Sequence, residues 1–376
     1  MSRIIFEQLT PGMITDEDIY ALSGQLLIPK GVSLTSNMLD LLRLYSIRSI
    51  RIQDEWSSSP LEDVKEEDRH YLGQDIAGFN SKLIEEARVK RIQEIKEYKK
   101  NYSQGLEYFQ VSINHLVSKN TELDIDTILN QTLSLLDSKA PGSTILEMLV
   151  YMKEYDTNVY AHSINVSLLC NMLAQWLDYS EEDCHMAAAC GMFHDIGKLA
   201  IPNQIIQKPG PLTPRERTIV NTHAEKGYQM LSEYNVNKTV RLSALMHHEK
   251  CDGTGYPQRL KGDQIDRFAK LVAICDIYNA MTSDRPYRKA MSPFTAIDHF
   301  EKEGLRKFDT RAILVFLKNT TNTYLNCPVR LSNGTVGHVV FISSEHLGRP
   351  TVQCGSEFID LRKRTDLHIA EMLPVV

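Results

Sequence analysis

The chain has 376 residues, a formal net charge of -6, 42% hydrophobic residues and 24% charged residues. This balance describes globular domains rather than a disordered chain, and the length allows two or three of them. The charge gives no global basic field for duplex nucleic acid. No secretory leader and no apolar run of about 18 residues occurs, so a cytoplasmic protein without membrane insertion is expected.

Residues 1–58 alternate short β-like runs with turn residues, as in DIYALSGQLLIPKGVSL, and then carry an amphipathic stretch, SNMLDLLRLYSI, and the apolar run RSIRI. A small β-rich module with one helix is expected there. Residues 59–121 are dense in both signs of charge and predict an exposed helical linker with i,i+4 pairs. Within it Ile92, Ile95, Tyr102, Leu106, Phe109, Ile113 and Leu116 form a narrow apolar seam, interrupted by Gly105. The seam suits either a homodimer contact through the 79–118 helix or packing on the chain's own next domain.

Residues 122–322 read as almost entirely helical, in stretches such as HSINVSLLCNMLAQWL, with Thr213 as N-cap and Pro214 at the first position of one helix. Residues 323–376 return to alternation, and Asn333-Gly334 between apolar-alternating runs predicts a hairpin in a second small β module. The fold class is therefore mainly α, a helical domain flanked by β-rich N- and C-terminal modules. The seven cysteines contain no CxxC pair, which favours reduced core thiols over a disulfide framework or a zinc site.

Chemistry-bearing residues concentrate in the helical middle. His162, His194, His223, His247 and His248 fall there, and Asp195 and Asp276 lie in apolar contexts where an unpaired carboxylate would be costly. Histidine with aspartate is a ligand set for borderline or hard divalent metals, and one carboxylate can bridge two ions. Adjacent histidines on a regular helix diverge by about 100°, so His247 and His248 can face one ion only near a helix end. The glycines and proline of HHEKCDGTGYP, residues 247–257, put them near such an end. His185 and His299 read as ordinary histidines.

HDIGK at 194–198 and HHEKCDGTGYP at 247–257 resemble the two signatures of the HD-GYP family, HD-superfamily metal-dependent phosphohydrolases that hydrolyse the bacterial messenger cyclic di-GMP. The resemblance covers roughly residues 135–320 and implies an all-helical HD-type phosphohydrolase domain holding two divalent ions, iron or manganese. It implies His162, His194, Asp195 and Asp276 as one ligand set, with His223, His247 and His248 completing the neighbouring ion and Asp195 as the bridge. It also implies Lys198 beside the scissile phosphate, and Arg285 and Arg288 at phosphate or guanine, where forked or stacking contacts suit arginine. Tyr256 is expected near the ligand.

One departure concerns the metal count. Some family members carry an acidic residue one turn before the first histidine as ligand to a third ion; here that position is Asn158, with Glu154 a further turn away, so two ions are expected. Three functions follow from the resemblance. The first is hydrolysis of cyclic di-GMP to linear pGpG, and on to GMP, in signal transduction. The others are a catalytically weak cyclic di-GMP sensor acting on a signalling partner, and an HD phosphohydrolase of another nucleotide.

Overall fold

The computed structural model describes residues 2–20, 26–28, 30–35, 38–39, 42, 47, 49–53, 66–118, 125–136, 145–146, 148–149, 152, 159–284, 289–355 and 357–373. Side chains within 66–88 are not among them, and Glu154, Asn158, Arg285 and Arg288 lie outside the described residues. Two compact units divide the chain, one of residues 1–96 with 375–376 and one of residues 97–374.

In the first unit, strand β1 (Ser2–Ile5) pairs antiparallel with β4 (Ser49–Ile52), and β2 (Ile19–Tyr20) with β3 (Leu26–Ile28). Phe6, Leu9, Ile28, Leu34, Leu42, Ile50 and Ile52 form its core. The Thr15 hydroxyl accepts the Val32 amide at 3.0 Å and ties the loop between β3 and β4 to the start of the module. The strands agree with the expected β-rich character, while most of the expected helix SNMLDLLRLYSI lies outside the described residues.

Helix α1 (Glu66–Val117) runs unbroken through Gly105. Its residues from 97 onward belong to the second unit, where Tyr102, Leu106, Phe109, Ile113 and Leu116 are buried in the main core. Along that stretch the seam is occupied by the unit's own helices, against which α2 (Ile125–Leu135) also packs.

The centre of this unit is α3 (Val159–Trp176), buried without interruption from Ala161 to Ala174. A helix buried on every side belongs in the middle of a bundle rather than at its surface. It crosses α4 (Glu181–Phe193) closely, because a side chain on Gly191 would meet the Ser167 backbone at 2.9 Å. The Ser167 hydroxyl also donates to the Ala188 carbonyl at 2.8 Å. Ser180 caps α4. Next come α5 (Pro214–Asn221), α6 (His223–Ser232) and α7 (Lys238–Met246). Thr213 and Glu216 form a reciprocal capping box at the start of α5, with Pro214 just inside, so the sequence signal is realised in full. Helix α8 (Arg267–Thr282), capped by Asp266, is as deeply buried as α3 and lies against it.

After α9 (Pro293–His299) and α10 (Thr310–Thr323) the chain forms β5 (Pro328–Leu331), β6 (Val336–Ser343), β7 (His346–Cys354), β8 (Glu357–Asp360) and β9 (Ile369–Met372). These make one antiparallel sheet in the order β8-β7-β6-β5-β9, with Asn333-Gly334 in the tight β5–β6 connection. The sheet core includes Phe294 from α9, and the Glu301 carboxylate accepts the Leu347 and Gly348 amides at 2.8 and 2.9 Å. The sheet is thus bonded to the helical bundle within the same compact unit. No helix among the described residues is long and apolar enough to cross a membrane.

Candidate metal centre

Five parts of the bundle converge on one buried point. Helix α3 brings His162 in its first turn; the end of α4 delivers His194 and Asp195; His223 opens α6; and His247 closes α7, with His248 after it. Asp276 comes from the middle of α8. His162, His194, Asp195, His223 and His247 are each at most 3% exposed, and Asp276 is 7% exposed.

Asp195 sits at the centre. Its Oδ2 lies 3.5 Å from His162 Nε2 and 3.4 Å from His194 Nε2, while its Oδ1 lies 3.3 Å from His223 Nε2 and 3.7 Å from His247 Nε2. Asp276 Oδ1 is 3.0 Å from His162 Nε2, and its Oδ2 is 4.0 Å from His248 Nδ1. Donor atoms therefore fall into two groups, His162 with His194 and Asp195, and Asp195 with His223, His247 and His248. The two groups share Asp195.

The proton positions on three imidazoles follow from their partners. His194 Nδ1 faces the Gly191 carbonyl at 2.7 Å, His223 Nδ1 the Val220 carbonyl at 2.7 Å, and His247 Nδ1 the Ala244 carbonyl at 2.9 Å. A carbonyl only accepts, so each Nδ1 carries the hydrogen and each Nε2 presents a lone pair inward. His223 Nε2 and His247 Nε2 consequently point lone pairs at each other across 3.2 Å. Two unprotonated nitrogens at that spacing repel unless a cation lies between or beside them. His194 Nε2 and Asp195 Oδ1 are likewise buried without a hydrogen-bond partner. A buried orphan carboxylate oxygen is costly, and metal coordination removes the cost. The donor set therefore fits a binuclear site for divalent ions.

The electrostatics agree. Burial lowers His223 and His247 below the ordinary histidine value and takes His248 to about 3, so all three stay neutral, as metal ligands must. Burial also disfavours a charged His194, but the Asp195 carboxylate outweighs it and raises that imidazole. For Asp195 burial opposes ionisation, yet Lys198 and His194 hold the carboxyl well below the carboxylate range. His162 does the same for Asp276.

Lys198 is placed differently from a simple helical continuation. Helix α4 ends at Phe193, and residues 196–200 form a 3-10 turn whose i,i+3 geometry directs the Lys198 ammonium onto Asp195 Oδ2. Gly197 allows a close contact between two segments of the site. A Cβ there would lie 2.0 Å from the His223 carbonyl and 2.5 Å from the Gly227 amide. The two metal-facing segments can approach only because that side chain is missing.

The loop of HHEKCDGTGYP folds back onto the end of α7. The Tyr256 ring stacks on His248 with centroids 4.6 Å apart, fixing the plane of that imidazole. Asp252 is occupied locally, its Oδ1 accepting the Thr254 amide at 3.0 Å, which marks it as a turn residue. Glu249, not singled out from the sequence, is 2% exposed and accepts the Gln258 amide at 2.6 Å and the Leu260 amide at 2.9 Å. A Cβ on Gly255 would come within 2.4 Å of the Glu249 Cα, so the loop can close only with glycine at that position. Asn279, also missed, touches His162 Nδ1 at 2.8 Å. The sequence signal for it was its place three residues after Asp276, on the same helical face.

Comparison with known proteins gives the class to which this site belongs. The family described as HD domain matches residues 143–312. The chain is 37% identical over 206 residues to a cyclic di-GMP phosphodiesterase of Pseudomonas aeruginosa, covering 54% of this chain and 50% of that protein. It is 35% identical over 156 residues to the cyclic di-GMP phosphodiesterase response regulator RpfG of Xanthomonas campestris, covering 41% of each. It is also 38% identical over 130 residues to a 3'3'-cGAMP-specific phosphodiesterase of Vibrio cholerae, covering 35% of this chain and 28% of that protein. The chain thus spans half the length of these relatives or less. HDIGK and HHEKCDGTGYP lie on one His/Asp cluster, inside the stretch that matches the HD domain family and that is similar to these phosphodiesterases.

Proposed function

We propose that this chain is a metal-dependent phosphodiesterase that opens cyclic di-GMP to linear pGpG. The observation that carries the reading is the pair of buried donor groups sharing Asp195, in a chain similar to cyclic di-GMP phosphodiesterases. In this reading Asp195 would be shared by two divalent ions, iron or manganese. His162, His194 and Asp276 complete one set, and His223, His247 and His248 the other. Bound ions would supply Lewis-acid activation of water and neutralise charge developing at phosphorus.

The chain's own residues do the rest. Lys198, with 22% of its side chain exposed beside Asp195, brings an ammonium to the edge of the site, where it neutralises a phosphate oxygen or protonates the leaving 3'-oxygen. Tyr256 holds the His248 plane through its stacked ring. Arg285 and Arg288 are assigned to phosphate or guanine recognition by the family resemblance alone. Two ions rather than three are assigned on the basis of Asn158. The flanking β-rich segments are assigned to a signalling partner or to structural support, and the reaction to bacterial signal transduction in the cytoplasm.

The likeness to a 3'3'-cGAMP-specific phosphodiesterase makes cyclic GMP-AMP the second candidate substrate. The test is anaerobic purification with metal analysis, followed by product identification from cyclic di-GMP and from 3'3'-cGAMP. Two ions per chain and release of pGpG are expected. Asp195→Ala should lose both ions and reduce turnover by more than about a hundredfold, since even outer-sphere changes reach that size. Undiminished turnover in that variant would refute the metal mechanism. Nucleotide binding without turnover in the metal-loaded protein would establish a sensor instead.

A further inference from the structure

Helix α1 touches both segments that carry the first donor group. His162 stands in the first turn of α3, whose leading amides have no partner within the helix, and helix ends of this kind fray unless something outside holds them. Three side chains of α1 reach that turn. The Tyr102 hydroxyl donates to Asn165 Oδ1 at 2.7 Å and lies 3.4 Å from the Ala161 carbonyl, so it spans the residues on either side of His162. Asn114 Oδ1 accepts the Tyr160 hydroxyl at 2.7 Å. Between them Phe109 packs edge-on against Tyr160 and against Phe193, with centroids 6.1 Å apart in each case. Tyr160 comes just before Ala161 and His162, and Phe193 just before His194.

The three contacts are spread over about 18 Å of one helix, from position 102 to position 114. Tyr102 is the most enclosed of them, with no exposed surface. Towards the second donor group α1 offers a hydrogen bond much farther from the ligands. Its Leu116 carbonyl accepts the Tyr234 hydroxyl at 2.7 Å, eleven residues beyond His223.

We propose that Tyr102 is a positioning residue for the ion held by His162 and His194, its hydroxyl keeping the first turn of α3 where His162 meets Asp195. This rests on the metal reading above but not on the identity of the substrate. Asn165 lies almost one turn beyond His162, so a bond that fixes Asn165 fixes the backbone between them. Ligand atoms must stay within about 0.2 Å of their coordination distances, so a loosened turn is read directly as lost affinity.

The test uses the full-length protein stripped of metal and titrated with manganese, free Mn(II) being followed by electron paramagnetic resonance. Wild type should bind two ions. Tyr102→Phe keeps the ring and removes only the hydroxyl. It should weaken one ion by about tenfold, the low end for changes outside the ligand set, and leave the other unchanged. Tyr234→Phe removes the same group from the other contact with α1 and should bind both ions as wild type does. In a His162→Gln background, Tyr102→Phe should have no further effect, because both changes act on one ion.

Wild-type affinity for both ions in Tyr102→Phe, equal weakening of the two ions, or the same loss in Tyr234→Phe would reduce Tyr102 to a packing residue and overturn the proposal. So would a further loss in the His162→Gln background. A wild-type protein that binds two ions but cleaves no cyclic dinucleotide would refute the enzymatic reading and leave this one standing.

Discussion

At the scale of single residues, the Lys250 ammonium is a buried charge outside the donor set, as is the Glu249 carboxylate. Lys250 lies two residues beyond His248, and its buried ammonium finds no hydrogen-bond partner, only the face of Phe308 with the centroid 4.5 Å away. Burial lowers its pKa to about 8. The folded pKa is below the unfolded one, so at neutral pH the charge opposes folding, and wild type gains stability as pH rises from about 8 to about 10.5. Lys250→Met should therefore raise stability at pH 7 by about 1–2 kcal/mol, after allowing for the lost cation–π contact. The gain should shrink by pH 10, as urea unfolding at the two pH values would reveal. An unchanged midpoint at pH 7 would show that the ammonium is solvated.

Among the elements, the segment from His247 to Leu260 shows what sequence spacing can and cannot deliver. The helix end, the turn and the pairing of two adjacent imidazoles were legible because they depend on neighbours within eleven residues. The same holds for the Thr213 capping box and the Asn333-Gly334 hairpin. The loop's actual fastening was not legible, because Glu249 is defined by the Gln258 and Leu260 amides, and nothing in its identity distinguishes a buried clamp from a surface glutamate. Asn279 and the Tyr102–Asn165 hydrogen bond of 2.7 Å were hidden for a different reason, their partners being more than sixty residues away. Glu249→Ala would strand two amides inside the loop and should cost about 2–3 kcal/mol. Thermal unfolding of the metal-free protein measures this, and a cost below about 0.5 kcal/mol would mean that water replaces the carboxylate.

For the whole molecule, the centre links stability to acidity. His223, His247 and His248 titrate near 6.5 when unfolded but lower when folded, His248 at about 3, so the unfolded chain binds more protons just below pH 6.5. Their contribution is intact above 6.5 and is lost as pH falls through that window; His194, shifted upward, opposes them singly. Metal-free protein should lose about 2 kcal/mol between pH 7.5 and 5.5, measured by denaturant unfolding, and pH-independent midpoints would contradict the buried neutral imidazoles. Asp195 carries a last consequence. Two cations drawing on one carboxylate cannot be held independently: the first takes up most of its negative charge, and the second meets both a poorer ligand and a positive neighbour. If Asp276, 3.0 Å from His162, joins the His162–His194–Asp195 group as proposed, that group has two carboxylates for a hard cation, while the other has three imidazoles and only a share of Asp195. As metal becomes scarce the imidazole-rich position should empty first, leaving a folded, half-loaded form.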